Sequence, residues 1–255
     1  MKKTILILIL LFPSVLISQD LKYWFPEKFE ENTIPESRIA LIIANTDYND
    51  DKYDLKNPIN DANLIAQTLY SLDFEVIFKK DLNRMQAEET IIEFQKKHSE
   101  YDFSIIYYAG HAFQDKNGNS FLIPIDFSNE VSFNDAGISL SGLLGFFESS
   151  PTLLILDACR ETNNNGLSKP LIQDPLNVKL AYSTSFGKTA SDNSDYDNTA
   201  YTSYLSRLFL MKGLTINDIL HNTAKLILKQ SEGKQYPVDY FGISVEDIQL
   251  SKVVD

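Results

Sequence analysis

The stretch "LLILDACRET", Leu153 to Thr162, decides the fold. Its aliphatic half is a continuous apolar run of strand length, the pattern of a parallel strand buried on both faces. The run then stops on Asp157, Ala158, Cys159 and Arg160, and an unpaired carboxylate ending a buried strand is costly unless it has a use. Cys159 is the single cysteine of the chain, so it has no intramolecular disulfide partner. It is either a small buried hydrophobe or a reactive thiol.

Similar runs recur outward from this one. "RIALIIAN" (38–45), "FEVIFKK" (74–80), "DFSIIYYAG" (102–110) and "VKLAYSTS" (178–185) are strand-like. Helical patterns separate them: "NDANLIAQTLYSL", with Asn60 or Asp61 suited to its N-cap, "NRMQAEETIIEFQKKHSE", with Ile91, Ile92 and Phe94 on its apolar stripe, and "ISLSGLLGFFES". "AYTSYLSRLFLMK" and "TINDILHNTAKLILKQ" follow as helices, with a last short strand expected around "DYFGIS". The Asn-Gly pair in "HAFQDKNGNSFLIPID" marks a hairpin. Strands alternating with helices define an α/β fold with helices on both faces of a mostly parallel sheet of roughly six strands. Two polar loops, 160–177 and 185–198, leave the fourth and fifth strands at the carboxyl edge, where open α/β sheets bind ligands.

Two strand ends carry chemistry. "YYAGHA" finishes on His111 and "LLILDACR" on Cys159. On adjacent parallel strands about 4.8 Å apart, both side chains emerge at one rim. An imidazole there can deprotonate a thiol, which needs a base or a positive neighbour to become nucleophilic near neutral pH. Each residue alone has an ordinary structural explanation; matching strand ends before long loops favour a catalytic pair. His98 and His221 lie in polar helical contexts and are expected to be solvated. The acidic runs "DYNDDKYD" and "SDNSDYDN" lack the spacing of an EF-hand loop.

The ordered stretches "LIIANTDY", "LKNPINDANLIAQTLYSLDFEV", "YYAGHAFQDKNGNSFLIPID" and "LLILDACR" resemble the caspase-fold cysteine peptidases, most closely their paracaspase/metacaspase branch. Caspases carry Gln-Ala-Cys-[Arg/Gln/Gly]-Gly with a histidine about 50 residues upstream. Here the pattern is Asp-Ala-Cys-Arg-Glu, with His111 standing 48 residues before Cys159. The resemblance implies an α/β/α sandwich, with Cys159 as nucleophile and His111 as general base. It puts backbone N–H groups of Cys159 and Ala112 around the tetrahedral oxyanion. Ala112 and Glu161 stand where the family usually has glycine, and alanine serves provided its φ is not positive.

The resemblance also implies an acidic S1 pocket. Asp157 replaces the glutamine of aspartate-directed caspases, Asp61 in "INDANL" matches a second acidic position, and Asp192 is a third candidate. Carboxylates there pair with an arginine or lysine at P1. Asp61 has the alternative use of a first-turn carboxylate favoured by the helix dipole. The expected protein is a cysteine endopeptidase acting through a thioester on protein or peptide substrates with a basic P1 residue. A catalytically silent caspase-fold binding or assembly module is the alternative. No cofactor is implied. Calcium activation belongs to metacaspases and not paracaspases, and a homodimer through an edge strand is known in parts of the family.

The net charge of −12 argues against nucleic-acid binding, which needs a basic face. The first 18 residues read as a signal peptide, with Lys2 and Lys3 before the apolar "TILILILLF", a run too short to span a bilayer. Residues 19–37 read as an N-terminal arm and 38–250 as the peptidase domain. The protein is expected to be exported, periplasmic or secreted, with no integral membrane segment after cleavage. Lys188 is the better candidate for self-processing, since Lys169 precedes Pro170.

Overall fold

A computed structural model describes residues 34–115, 119–128, 133–158, 160–162, 175–184 and 197–251. The signal-peptide segment and all but the last four residues of the arm lie outside them, as do Cys159, Lys169, Lys188 and Asp192.

The chain runs β1 (Arg38–Ala44), α1 (Pro58–Tyr70), β2 (Glu75–Lys80), α2 (Arg84–His98) and β3 (Phe103–Ala109). A hairpin of β4 (Ala112–Gln114) and β5 (Ser120–Leu122) follows, then α3 (Phe133–Ala136), β6 (Ile138–Ser139) and α4 (Leu140–Phe146). The remaining elements are β7 (Thr152–Asp157), β8 (Arg160–Thr162), β9 (Val178–Tyr182), α5 (Ala200–Phe209), α6 (Ile216–Gln230) and β10 (Val238–Tyr240). Six strands form the main sheet in the order β10-β9-β7-β3-β1-β2, and β6-β5-β4-β8 form a smaller one. All main-sheet pairs are parallel except β10 with β9. The α/β class with a six-stranded, mostly parallel sheet is therefore as expected.

Strand alternation divides the core in two. Ala40, Ile42, Ile105, Tyr107, Leu153 and Ile155 face α1, α5 and α6, while Ile39, Leu41, Ile106, Tyr108, Leu154 and Leu156 face α2 and α4. Burying both faces explains why these strands read as unbroken apolar runs. The chain leaves β1 toward β2, then returns to lay β3 on the other side of β1. That reversal makes the carboxyl ends of β1 and β3 a topological switch point, where a crevice opens.

Several local expectations are corrected. α1 starts earlier than Asn60 or Asp61 would allow: Asn57 is the N-cap and Pro58 opens the helix, where its missing N–H costs nothing. "ISLSGLLGFFES" is not one helix: Ile138–Ser139 pair with β5, and Ser139 then caps α4 by accepting from Gly142 N–H. Arg160–Thr162, expected as loop, pair in parallel with β4. His98 is not solvated. It is 1% exposed between the rings of Phe94 and Phe147, and desolvation lowers its pKa, holding it neutral. His221 is exposed, as expected.

The antiparallel edge depends on one close approach. Lys179 in β9 is 2% exposed, with its ammonium paired to Asp239 and Glu246. Gly242, at φ +69°, crosses so near that a Cβ there would lie 2.4 Å from the Lys179 backbone. Gly242→Ala is therefore expected to lower unfolding stability by about 2 kcal/mol or more, from steric overlap and left-handed strain together. Chemical denaturation measures it, and an unchanged midpoint would show that this edge relaxes freely.

Candidate active site

The site is built by strand register. Ala109 at the end of β3 faces Asp157 at the end of β7, and beyond the strands Ala112 of β4 faces Arg160 of β8. Partners are thus 48 residues apart on both sides of His111, the same interval that separates His111 from Cys159 in the sequence. Cys159 itself lies outside the described residues.

His111 is held from several directions. Its backbone N–H donates to Tyr48 Oη at 3.0 Å, and its carbonyl accepts from Tyr108 Oη at 2.8 Å and from the Ile123 N–H at 3.0 Å. The imidazole packs edge-on against the Tyr48 and Tyr53 rings. Its Nε2 lies 2.8 Å from the Tyr53 carbonyl oxygen. A carbonyl only accepts, so Nε2 carries the proton and Nδ1 of the neutral ring is left as the base. Burial pushes the Tyr48 pKa up to about 12, which keeps that hydroxyl neutral at its post. Gly110 is required for this approach: a Cβ would lie 2.7 Å from Tyr108 Oη and 3.1 Å from Tyr48 Oη. Ala112 is not among the described residues with positive φ, so alanine meets the condition set for it in place of glycine.

Asp61 and Asp157 come together although 96 positions separate them in the sequence. Asp61 Oδ1 accepts from Thr199 N–H at 2.8 Å and Asn198 Nδ2 at 3.1 Å. Asp157 Oδ2 accepts from Thr199 Oγ1 at 3.2 Å, Thr202 Oγ1 at 2.7 Å and Tyr107 Oη at 3.0 Å. Thr199 is also the N-cap of α5, its hydroxyl oxygen accepting from Thr202 N–H. One residue therefore ties both carboxylates to the start of a helix. The two are 2% and 9% exposed, and among the described residues no lysine, arginine or histidine forms an ion pair with either. Burial, and then the nearby Asp157 charge, raise the Asp61 pKa to about 7. The same causes push the Tyr107 hydroxyl well above its ordinary range, so it remains a donor.

The alternative use of Asp61 is present as well, since it lies in the first turn of α1, and its carboxylate also reaches Thr199. Sequence reasoning missed Tyr48, Tyr53 and Thr199. The first two lie in "NTDYNDDKYD", a loop leaving β1 at the switch point, whose acidic run stands out in the sequence only for lacking the spacing of an EF-hand loop. Its carboxylates are used locally: Asp54 accepts from Tyr48 N–H, and Asp50 pairs with Lys52. Among the described residues no group of three or more His, Cys, Asp or Glu side chains gathers as a metal site, and no helix is long and apolar enough to cross a membrane.

A parallel sheet with a histidine at the end of its central strand, and two joined carboxylates beside it, is the frame of a caspase-fold protein. The family model described as Caspase domain matches residues 37–244, and the chain belongs to that family. It is similar to the human mucosa-associated lymphoid tissue lymphoma translocation protein 1, 27% identical over 225 residues, 82% of this chain and 27% of that protein. The Mus musculus homolog is 27% identical over 203 residues, 75% of this chain and 24% of that protein. The chain thus spans about a quarter of the length of these relatives.

The raised Asp61 pKa has a consequence for stability. The folded protein keeps a proton that the unfolded chain, with its ordinary value of 3.8, releases. The contribution of Asp61 to stability is therefore most favourable below the unfolded value and falls as pH rises toward about 7, by up to ~1.4 kcal/mol per pH unit. Asp61→Asn is expected to flatten this slope. Urea midpoints of both proteins at pH 5 and 7.5 test it, and equal slopes would show that Asp61 titrates normally.

Proposed function

We propose that the protein is a cysteine endopeptidase that hydrolyses the bond after an arginine or lysine at P1. The observation that carries this reading is the orientation of His111, whose Nε2 proton is committed to the Tyr53 carbonyl at the point in the register where Cys159 follows β7. Nδ1 of His111 takes the Cys159 proton, and the thiolate attacks the scissile carbonyl carbon. Backbone N–H groups of Cys159 and Ala112 hold the oxyanion. Collapse breaks the C–N bond, His111 returns the proton to the leaving amine, and a thioester remains. Water activated by Nδ1 then hydrolyses it, restoring the thiol.

The joined carboxylates support the specificity. Asp61 and Asp157 bring negative charge to a buried spot where, among the described residues, no cation pairs with them, so a guanidinium or ammonium entering there is favoured over a neutral or acidic side chain. Asp192 belongs to the same proposal, as do export behind a signal peptide, self-cleavage after Lys188 and edge-strand dimerisation. Calcium is treated as an added variable.

Fluorogenic peptides differing only at P1, tested with calcium and with chelator, check the reading. Arginine and lysine substrates are expected to be cut, with at least a hundredfold advantage (~3 kcal/mol) over aspartate, and Cys159→Ala and His111→Ala each to reduce turnover at least a thousandfold (~4 kcal/mol). Because Asp61 ionises only near neutrality, KM for the arginine substrate is expected to fall as pH rises through about 7. A folded wild-type protein that cuts none of the peptides, with or without calcium, would leave the silent binding module instead.

A further inference from the structure

The row of residues across the sheet at the level of Asp157 contains an unexplained group. Ala109 of β3 faces Asp157 on one side. On the other, Leu156 is in register with Tyr182 and accepts a hydrogen bond from the Ser183 N–H at 3.0 Å, so the parallel ladder carries on to Ser183 beside Asp157. Side chains alternate along a strand, so Ser183 shares the face of Ala181, which packs with Leu153 and Ile155 against α1, α5 and α6. Asp157 reaches Thr199 and Thr202 on that face. The row Ala109–Asp157–Ser183 therefore lies under Asp61 and Thr199, with a small residue on each side of the carboxylate. Adjacent strands are about 4.8 Å apart, which brings the Ser183 side chain within reach of a group bound to Asp157.

Ser183 is 0% exposed, its carbonyl accepts from Gln235 Nε2 at 2.7 Å, and its hydroxyl has no hydrogen-bond partner among the described residues. A buried, unpaired hydroxyl is a net cost to folding, and an alanine would avoid it. The neighbouring carboxylates are differently placed. Asp157 Oδ2 already accepts from three hydroxyls and Asp61 Oδ1 from two N–H groups. An arriving cation must use their remaining oxygens and whatever other acceptor lies on the row. Both guanidinium and ammonium carry more donors than two carboxylate oxygens satisfy.

We propose that Ser183 is a specificity-determining residue of the basic pocket, its hydroxyl oxygen accepting a hydrogen bond from the side-chain nitrogen of the P1 arginine or lysine beside Asp157. The inference rests on the reading of Asp61 and Asp157 as a P1 pocket and adds a neutral acceptor to it. Ser183 is thus a folding cost in the free protein that is offset on binding.

Ser183→Ala tests this, because the substitution removes one atom without adding bulk. The KM of a P1-arginine peptide is expected to rise about ten- to a hundredfold with kcat unchanged, as loss of one hydrogen bond to a charged group implies. The thermal midpoint is expected to hold or rise, since the unpaired hydroxyl is gone. A structural role would instead lower the midpoint and kcat together. Wild type that cuts neither arginine nor lysine peptides removes the pocket and this proposal at once. Wild type that cuts them while Ser183→Ala shows any other pattern overturns the Ser183 assignment alone.

Discussion

The pairing of β3 with β7 is the constraint on which the rest of the site depends. Parallel strands exchange evenly spaced hydrogen bonds, and a slip of one residue would turn every side chain to the opposite face. With both faces packed by helices, no such slip is tolerated. The pairing of Ala109 with Asp157 therefore fixes the height of the two strand ends, and the β4–β8 pairing holds the same interval beyond them. His111 sits within this frame, so the core sets its height at the sheet's rim, and the loop leaving β1 holds its backbone N–H and ring there.

Around that frame the site is assembled from groups that lack partners within their own elements. His111 takes its orientation from a loop leaving β1, through the Tyr53 carbonyl and the Tyr48 hydroxyl. Asp61 comes from the first turn of α1 and Asp157 from β7, and the N-cap of α5 joins them. Thr199 thus serves helix formation and charge placement together. Two buried carboxylates held side by side oppose folding unless one keeps a proton, and the raised Asp61 pKa expresses that conflict. The opposite edge shows the contrast: Lys179 is equally buried but meets two carboxylates, so its charge is spent on structure.

The comparisons with known proteins fit this division. The Caspase domain match runs from Arg38's neighbour Ser37 to Ser244, covering the whole six-stranded sheet. The relatives extend far beyond the matched region, so the shared part is the caspase domain and not the rest of those chains.

The sequence by itself determined the α/β class, the strands and the strand ends that matter. Strands buried on both faces must be apolar throughout, and helices between them must show a 3.6-residue period, so both signals are local. The interval between His111 and Cys159 was legible for the same reason, since it is set by two strand ends. Asp61 and Asp157 could be named from the motif, but their joining by Thr199 could not, because it depends on how α1, β7 and α5 meet. Nor could the Tyr53 carbonyl, a backbone atom that any residue would supply, or the Ser183 hydroxyl, which no described residue reaches. His98 was misread because polar neighbours in sequence say nothing of the Phe94–Phe147 cleft it enters. Elements follow from local pattern; protonation, orientation and charge pairing follow from long-range contacts, and only the tertiary structure decided those.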